Sequence, residues 1–121
     1  ETILEGRVAG GHDGLLRVDV RGGVIEVPGK AAEGATVFVC LRPEDLVIRP
    51  DHHAVRESAR NHLRGVVVEA TRLEAQYRVR VDCGAHVVAL VTKQSFQELG
   101  LTPGMPVAVA FKASAVHLIP R

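Results

Sequence analysis

The 121-residue sequence has 15 Lys and Arg against 14 Asp and Glu, a formal net charge of +1; 46% of its residues are hydrophobic and only 3% aromatic. This balance excludes a disordered chain, a bulk polyanion binder, which would be more basic, and a single-strand nucleic-acid binder, which stacks bases on aromatic rings. The chain shows no signal-peptide pattern, and no apolar run reaches the ~18 residues of a membrane-spanning helix.

Short apolar or alternating stretches separated by Gly and Pro dominate the chain and predict β-strands. The clearest is LLRVDV at 15–20, which alternates apolar and charged residues and is followed by the turn residues Gly22 and Gly23. The predicted strands are 15–20, 24–27, 37–41 and 46–48 in the first half, and 63–69, 77–82, 87–91, 107–112 and 115–119 in the second.

One short helix is expected in the second half. The run from Ser95 to Glu98 has the form of a capping box with Ser95 as N-cap, and Gly100 stands where a C-terminal glycine would end the helix.

The two halves of the sequence repeat one pattern with a period of about sixty residues. Residues 3–8 correspond to 62–67, residues 17–20 to 78–81, and the run ending in Pro50 to the run ending in Pro120. The repeat predicts an all-β fold of two tandem small barrels, similar to oligonucleotide-binding (OB) barrels, with one short helix in the second. We expect a first barrel at 1–50, a polar connector at 51–57 and a second barrel at 58–121. Each unit is too small to bury much surface alone, so the halves should pack on each other or on a second chain.

No residue pattern indicates catalysis or metal binding. Gly29 and Lys30 do not form a phosphate loop, because both the Walker spacing of the glycines and the Ser or Thr after the Lys are missing. The six histidines show no zinc-site spacing. Cys40 and Cys83 are interpreted as small buried hydrophobes, with one disulfide between them left open. We therefore expect a chain that is not an enzyme and has neither metal nor cofactor.

Three separated pieces of the second half resemble the Mop/TOBE family of molybdate-binding domains, in the family's order and spacing. They are SARNHLRG at 58–65, TKQS at 92–95 and KASAV at 112–116. The resemblance implies that molybdate or tungstate is the ligand. It implies that the oxyanion is held by Ser58, Arg60, Thr92, Ser95, Lys112 and, through its backbone N–H, Ala113.

The chemistry of these residues suits a tetrahedral dianion, whose oxygens only accept hydrogen bonds. Arg60 and Lys112 supply positive charge, and the hydroxyl and backbone N–H groups supply neutral donors. A helix beginning near Ser95 would add its N-terminal dipole. Taken singly, each residue is more simply read as a cap, a linker residue or a solvated surface charge.

The first half carries a second resemblance. The run VCLRPEDL at 39–46 is similar to a segment in the C-terminal regulatory domain of ABC-importer ATPases, and ILEG at 3–6 resembles the start of that domain. This implies a C-terminal regulatory fragment of a molybdate or tungstate importer ATPase, mediating dimer contact and feedback inhibition. The nucleotide-binding motifs are absent, so this stretch should not hydrolyse ATP. The first half also has no counterpart of the pieces at 58–61 and 92–95, so we expect no equivalent oxyanion site there.

The partners implied are a second copy of the chain and, through the parent ATPase, the membrane permease subunits. Neither nucleic acid nor direct membrane insertion is expected. The implied location is cytoplasmic, at the inner face of the membrane. Two other hypotheses stay open, a stand-alone molybdate storage or homeostasis protein and an OB-type oligonucleotide-binding module.

Overall fold

The computed structural model describes residues 2–51 and 61–120. Within these ranges the elements are β1 (Thr2–His12), β2 (Leu15–Val20), β3 (Gly23–Pro28), β4 (Thr36–Leu41), β5 (Val47–Pro50), β6 (Asn61–Arg72), β7 (Gln76–Asp82), β8 (His86–Thr92), α1 (Lys93–Leu99), β9 (Pro106–Phe111) and β10 (His117–Pro120). Single turns of 3-10 helix at Pro43–Asp45 and Ala113–Ala115 precede β5 and β10. Apart from Asp51, the predicted connector lies outside the described residues.

Apart from β1, which was absent from the predicted strands, the strands form close to where the sequence predicted them, because one face of each is buried. Ala115, predicted to begin the last strand, lies instead in the 3-10 turn before β10. In β2, Leu16 and Val18 point inward while Arg17 and Asp19 are exposed. β1 and β2 are joined at Asp13 and Gly14, with φ angles of 54° and 78°, values that a tight two-residue hairpin turn requires.

The two halves share one pairing scheme. β1 pairs antiparallel with β2 and β4, and β6 pairs in the same way with β7 and β9. Each long strand carries an irregularity at the matching place, between Val8 and Gly10 in β1 and between Val67 and Glu69 in β6. The first residue pair after each irregularity therefore corresponds between the two halves. It is Gly10 opposite Arg17 in the first half and Glu69 opposite Arg80 in the second.

The last strand of each half belongs to the sheet of the other half. One sheet has the order β10-β4-β1-β2-β3 and the other β5-β9-β6-β7-β8. β10 also contacts β3 at the far edge of its sheet, and β5 contacts β8, so each sheet curls back on itself. The predicted all-β architecture, with two small five-stranded units and one short helix in the second, is confirmed. Its two sheets, however, draw strands from both halves of the sequence.

A single hydrophobic core runs through both sheets. Its largest fully buried side chains include Ile25 and Leu41 from the first half and Leu63 and Phe111 from the second, and many of the others are valines. β-branched side chains suit a strand interior. Because the core is shared, neither half can unfold without exposing the other half's apolar surface.

Two equivalent hairpin turns meet between the sheets. Gly22, in the β2–β3 turn, has a φ of 95°, and Gly84, in the β7–β8 turn, has a φ of 91°. A Cβ on Gly22 would collide with the carbonyl oxygen of Cys83, and one on Gly84 would lie 3.1 Å from the backbone nitrogen of Gly22. Glycine is therefore needed here for close approach as well as for its φ angle.

Gly22→Ala should destabilise the fold much more than Gly14→Ala. Both residues have positive φ, which costs an alanine about 1–2 kcal/mol. Only Gly22 faces backbone, because a Cβ on Gly14 meets nothing within 4 Å. We expect the clash to add about 1–3 kcal/mol, measured as the free energy of unfolding in urea. Equal destabilisation by the two variants would contradict the close approach of the turns.

Candidate functional site

Thr92 is the N-cap of α1. Its Oγ1 accepts a hydrogen bond from the Ser95 backbone N–H at 3.1 Å, and its φ and ψ are extended. The expected capping box with Ser95 as N-cap is therefore wrong by one turn: the helix begins at Lys93, and Ser95 is the residue whose N–H is capped. Gly100 ends the helix as predicted, with a left-handed φ of 62°.

An aromatic stack holds α1 against the sheet. The rings of Phe96 and Tyr77 lie parallel, with an interplanar angle of 6° and centroids 3.7 Å apart. Stacking of half-buried rings adds to the stabilisation from the area they bury. Ser95, one residue before Phe96, is thereby held close to the sheet.

Thr92 and Ser95 line a cavity of about 450 Å³ between α1 and β5. The other side of the cavity comes from the first half, through Glu44 and residues 46–50, and Glu98 completes it. The hydroxyls are thus accompanied by two carboxylates and by the guanidinium of Arg49. Two carboxylates beside the hydroxyls oppose the binding of a dianion unless further positive charge is brought to the cavity.

Lys112 and Ala113 lie away from the cavity of Thr92 and Ser95. Lys112 is exposed, Ala113 is 8% exposed, and the turn Ala113–Ala115 packs against β3 of the first half. Neither residue is among those that line the cavity of Thr92 and Ser95. The matching turn Pro43–Asp45 packs instead against β8, the strand that ends at Thr92.

Ser58 and Arg60 lie outside the described residues, which resume at Asn61, the first residue of β6. Asn61 pairs with Phe111, the last residue of β9, so the described part of the first motif piece begins beside the point where the third piece follows β9. The structure thus places the start of β6 near Lys112 and Ala113. It places Thr92 and Ser95 with the turn Pro43–Asp45.

Asn61 is a structural residue that the sequence alone does not single out. It is 2% exposed; its Oδ1 accepts from the Glu26 N–H at 2.7 Å, and its Nδ2 donates to the Glu26 carbonyl at 2.9 Å. The amide thus satisfies both backbone polar groups of one residue on the edge strand β3. Only the pairing of the two halves reveals this role, because 35 positions separate Asn61 from Glu26.

The segment at 42–45 is an inter-strand turn held by an ion pair. Pro43 opens a single 3-10 turn, and Arg42 Nε donates to Asp45 Oδ2 at 2.9 Å. This hydrogen bond raises the pKa of the Arg42 guanidinium. Glu44, on the same turn, faces the cavity.

Both cysteines are buried and neither is part of a disulfide, so the disulfide left open by the sequence is not formed. Burial, followed by the neighbouring Asp82 carboxylate, raises the pKa of the Cys83 thiol to about 11. The neutral thiol is a poor nucleophile. Within residues 2–51 and 61–120 no group of His, Cys, Asp and Glu could hold a metal ion, and no helix is long and apolar enough to cross a membrane.

Comparison with known proteins gives concordant results. A model of the TOBE domain matches residues 57–118. The molybdate/tungstate import ATP-binding proteins WtpC of Pyrococcus horikoshii and Pyrococcus abyssi are 37% and 31% identical over 99% and 89% of this chain. The chain spans only 32% and 33% of their lengths.

Two further matches are to proteins named for binding a molybdenum compound. The molybdenum-pterin-binding protein MopA of Rhodobacter capsulatus is 33% identical over 72% of this chain and 34% of its own length. The crystal structure of the cytoplasmic molybdate-binding protein ModG with molybdate bound superposes with a TM-score of 0.85, at 25% identity, over 100% of this chain and 96% of that one.

Asn61→Asp should destabilise the fold in a pH-dependent way. A carboxylate oxygen would replace the donor that the Glu26 carbonyl accepts, which removes that hydrogen bond at a cost of about 1–3 kcal/mol. Burial raises the pKa of the new carboxyl in the folded state above its unfolded value of ~3.9. The destabilisation is therefore full at neutral pH and shrinks as pH falls through the folded-state pKa, since the protonated carboxyl can donate again.

Urea unfolding at about pH 7 and about pH 4.5 measures this effect, with Asn61→Ala as the matched variant. The alanine variant removes both hydrogen bonds without adding a titrating group, so its destabilisation should change little with pH. Parallel behaviour of the two variants would contradict the hydrogen-bonding role of Asn61.

Proposed function

This chain belongs to the TOBE domain family, and on that basis we propose that it is a non-catalytic module that binds a tetrahedral oxyanion, molybdate or tungstate. The observation that carries the proposal is the superposition of the whole chain, with both sheets, on a molybdate-bound protein. The three motif pieces of the second half add the chemistry, since Arg60 and Lys112 supply charge and Thr92 and Ser95 supply hydroxyl donors.

The module acts as the C-terminal regulatory region of an importer ATPase. Two importer ATP-binding proteins match almost the whole chain, which would then form about a third of the parent protein. The regulatory region would lie in the cytoplasm, at the membrane face where the parent ATPase meets its permease subunits. Oxyanion bound here would favour a resting arrangement of the dimer, because a ligand shifts an equilibrium toward the state it binds better.

We propose a dimer because one chain places the motif pieces in two separate locations. Thr92 and Ser95 share their cavity with Glu44 and Glu98, whereas Lys112 and Ala113 pack on β3. A dianion at the two hydroxyls needs positive charge that the described part of this cavity supplies only through Arg49. A second copy that brings its Lys112 segment to Thr92 and Ser95 would complete the donor set.

A stand-alone oxyanion-binding protein is the second candidate. It is favoured by one observation, that this chain covers 96% of ModG with a TM-score of 0.85. In that case the same pockets would buffer the anion and would not report it to an ATPase.

Molybdate and tungstate should raise the unfolding temperature of this chain, while sulfate and phosphate should do so much less. Ligand at a hundredfold its Kd adds about 2.7 kcal/mol of stability, which corresponds to several degrees for a domain of this size. Differential scanning fluorimetry with each anion measures the shift. Lys112→Ala should abolish it, whereas Arg78→Ala, a change at an exposed residue of β7, should leave it intact. A folded protein that no oxyanion stabilises would overturn the proposal.

Molybdate should also favour dimers. Sedimentation velocity with and without molybdate, at protein concentrations around the dimer Kd, should show a ligand-dependent increase in the dimer fraction. The Thr92→Ala and Lys112→Ala variants should each fail to respond, while an equimolar mixture of the two should recover part of the response, because a mixed dimer retains one intact pocket. Full-affinity binding by a strict monomer would contradict the shared pocket.

A further inference from the structure

The two halves differ most at the end of their first hairpin. In the second half, the chain after β8 forms α1, and Phe96 covers Tyr77 beside the turn of the β6–β7 hairpin. In the first half, residues 29–35 connect β3 to β4 without a helix. Between these residues and the β1–β2 hairpin lies a groove of about 570 Å³, which we name the first-half groove. Its lining residues are Gly10, Gly11, His12, Gly14, Leu15, Leu16, Arg17, Gly29, Lys30, Ala31 and Glu33.

The charges at this place also differ. In the second half Arg80 is opposite Glu69, and their side chains form an ion pair at 3.3 Å. In the first half the equivalent arginine, Arg17, is opposite Gly10. The first half thus keeps the guanidinium and replaces its cross-strand carboxylate with a residue that has no side chain.

Gly10 lets Arg17 lie across the floor of the groove. A Cβ on Gly10 would stand 2.9 Å from Arg17 Nη2, and the φ of Gly10, 145°, is one that other residues rarely adopt. Glu33 Oε1 lies 3.8 Å from the same point. The groove therefore has a guanidinium on its floor and a carboxylate beside it.

Lys30 and His12 complete the polar lining, and both are exposed. Lys30 and Arg17 carry two positive charges against the single carboxylate of Glu33, so the groove favours an anionic ligand. The lining contains no Phe, Tyr or Trp side chain. It shares no residue with the cavity of Thr92 and Ser95.

We propose that the first-half groove binds the phosphate monoester of a small polyhydroxylated molecule, of the sugar phosphate class. Arg17 offers its fork of N–H donors to the phosphate and Lys30 adds a second charge. Glu33 accepts hydrogen bonds from hydroxyl groups of the same ligand. The groove volume suits a small organic molecule and exceeds the needs of one inorganic anion. Without a Phe, Tyr or Trp ring for stacking, the groove has no platform for a nucleobase.

Ribose 5-phosphate is the probe, and amide chemical shifts of the 15N-labelled chain are the readout. Titration should move the amide signals of Gly10, Gly11 and Gly29 and leave those of the second half in place. Arg17→Gln combined with Lys30→Gln should weaken binding at least ~10-fold for each charge removed. Arg80→Gln, at the equivalent position of the second half, should leave the affinity unchanged. Unmoved signals in the second half report that the double variant is folded.

Three comparison ligands make the proposal falsifiable. Ribose should bind far more weakly, because it lacks the charge, and inorganic phosphate should bind more weakly, because it lacks the hydroxyls. AMP should gain nothing over ribose 5-phosphate. No shift at roughly 10 mM ligand, equal binding of inorganic phosphate, or unchanged binding by the double variant would each overturn the proposal. So would shifts centred on Thr92 and Ser95, which would assign the anion to the oxyanion cavity.

Discussion

Most features of this fold follow from the exchange of β5 and β10 between the two sheets. A repeat of about sixty residues buries a small fraction of its surface and would be only marginally stable alone. The last strand of each repeat lies in the sheet of the other repeat, so each five-stranded sheet is complete only when both repeats are folded. The shared core and the close approach of the Gly22 and Gly84 turns are consequences of this arrangement. We therefore expect the two repeats to unfold together as one cooperative unit.

The exchange also determines which turn meets which barrel. The 3-10 turn directly before each exchanged strand also lies against the other half. Pro43–Asp45 contacts β8, and Ala113–Ala115 contacts β3. This is why the hydroxyls of Thr92 and Ser95 meet Glu44 while Lys112 stands apart from them. In a repeat protein whose halves have diverged, strand exchange combines residues of one repeat with residues of the other. The chemistry of each pocket is therefore a property of the pair, and the second-half motif by itself does not describe it.

The two repeats have diverged where binding chemistry is concentrated and have stayed alike where packing is required. Val18 and Val81 occupy equivalent inward positions and are both fully buried. Gly10 and Glu69 occupy equivalent outward positions and differ in size and charge. Inward positions are constrained by a dense core, in which a change of one methylene is felt. Outward positions at the hairpin ends carry no such constraint, so one half could gain a helix while the other kept an open groove.

Local patterns in the sequence were enough to establish most of the strands, the repeat, the all-β class and the resemblance of the second half to an oxyanion-binding family. Alternation and turn residues act over a few positions, so LLRVDV at 15–20 and Gly100 could be interpreted without knowledge of distant neighbours. The sequence also contained the signal for the true N-cap, because Ser95 follows Thr92 by the three residues that a capping hydrogen bond spans. The exchange of β5 and β10, the role of Asn61 and the neighbours of Thr92 emerged only with the folded chain. They depend on pairs far apart in sequence, such as Asn61 with Glu26, and the side-chain pattern of a short strand is the same in either sheet.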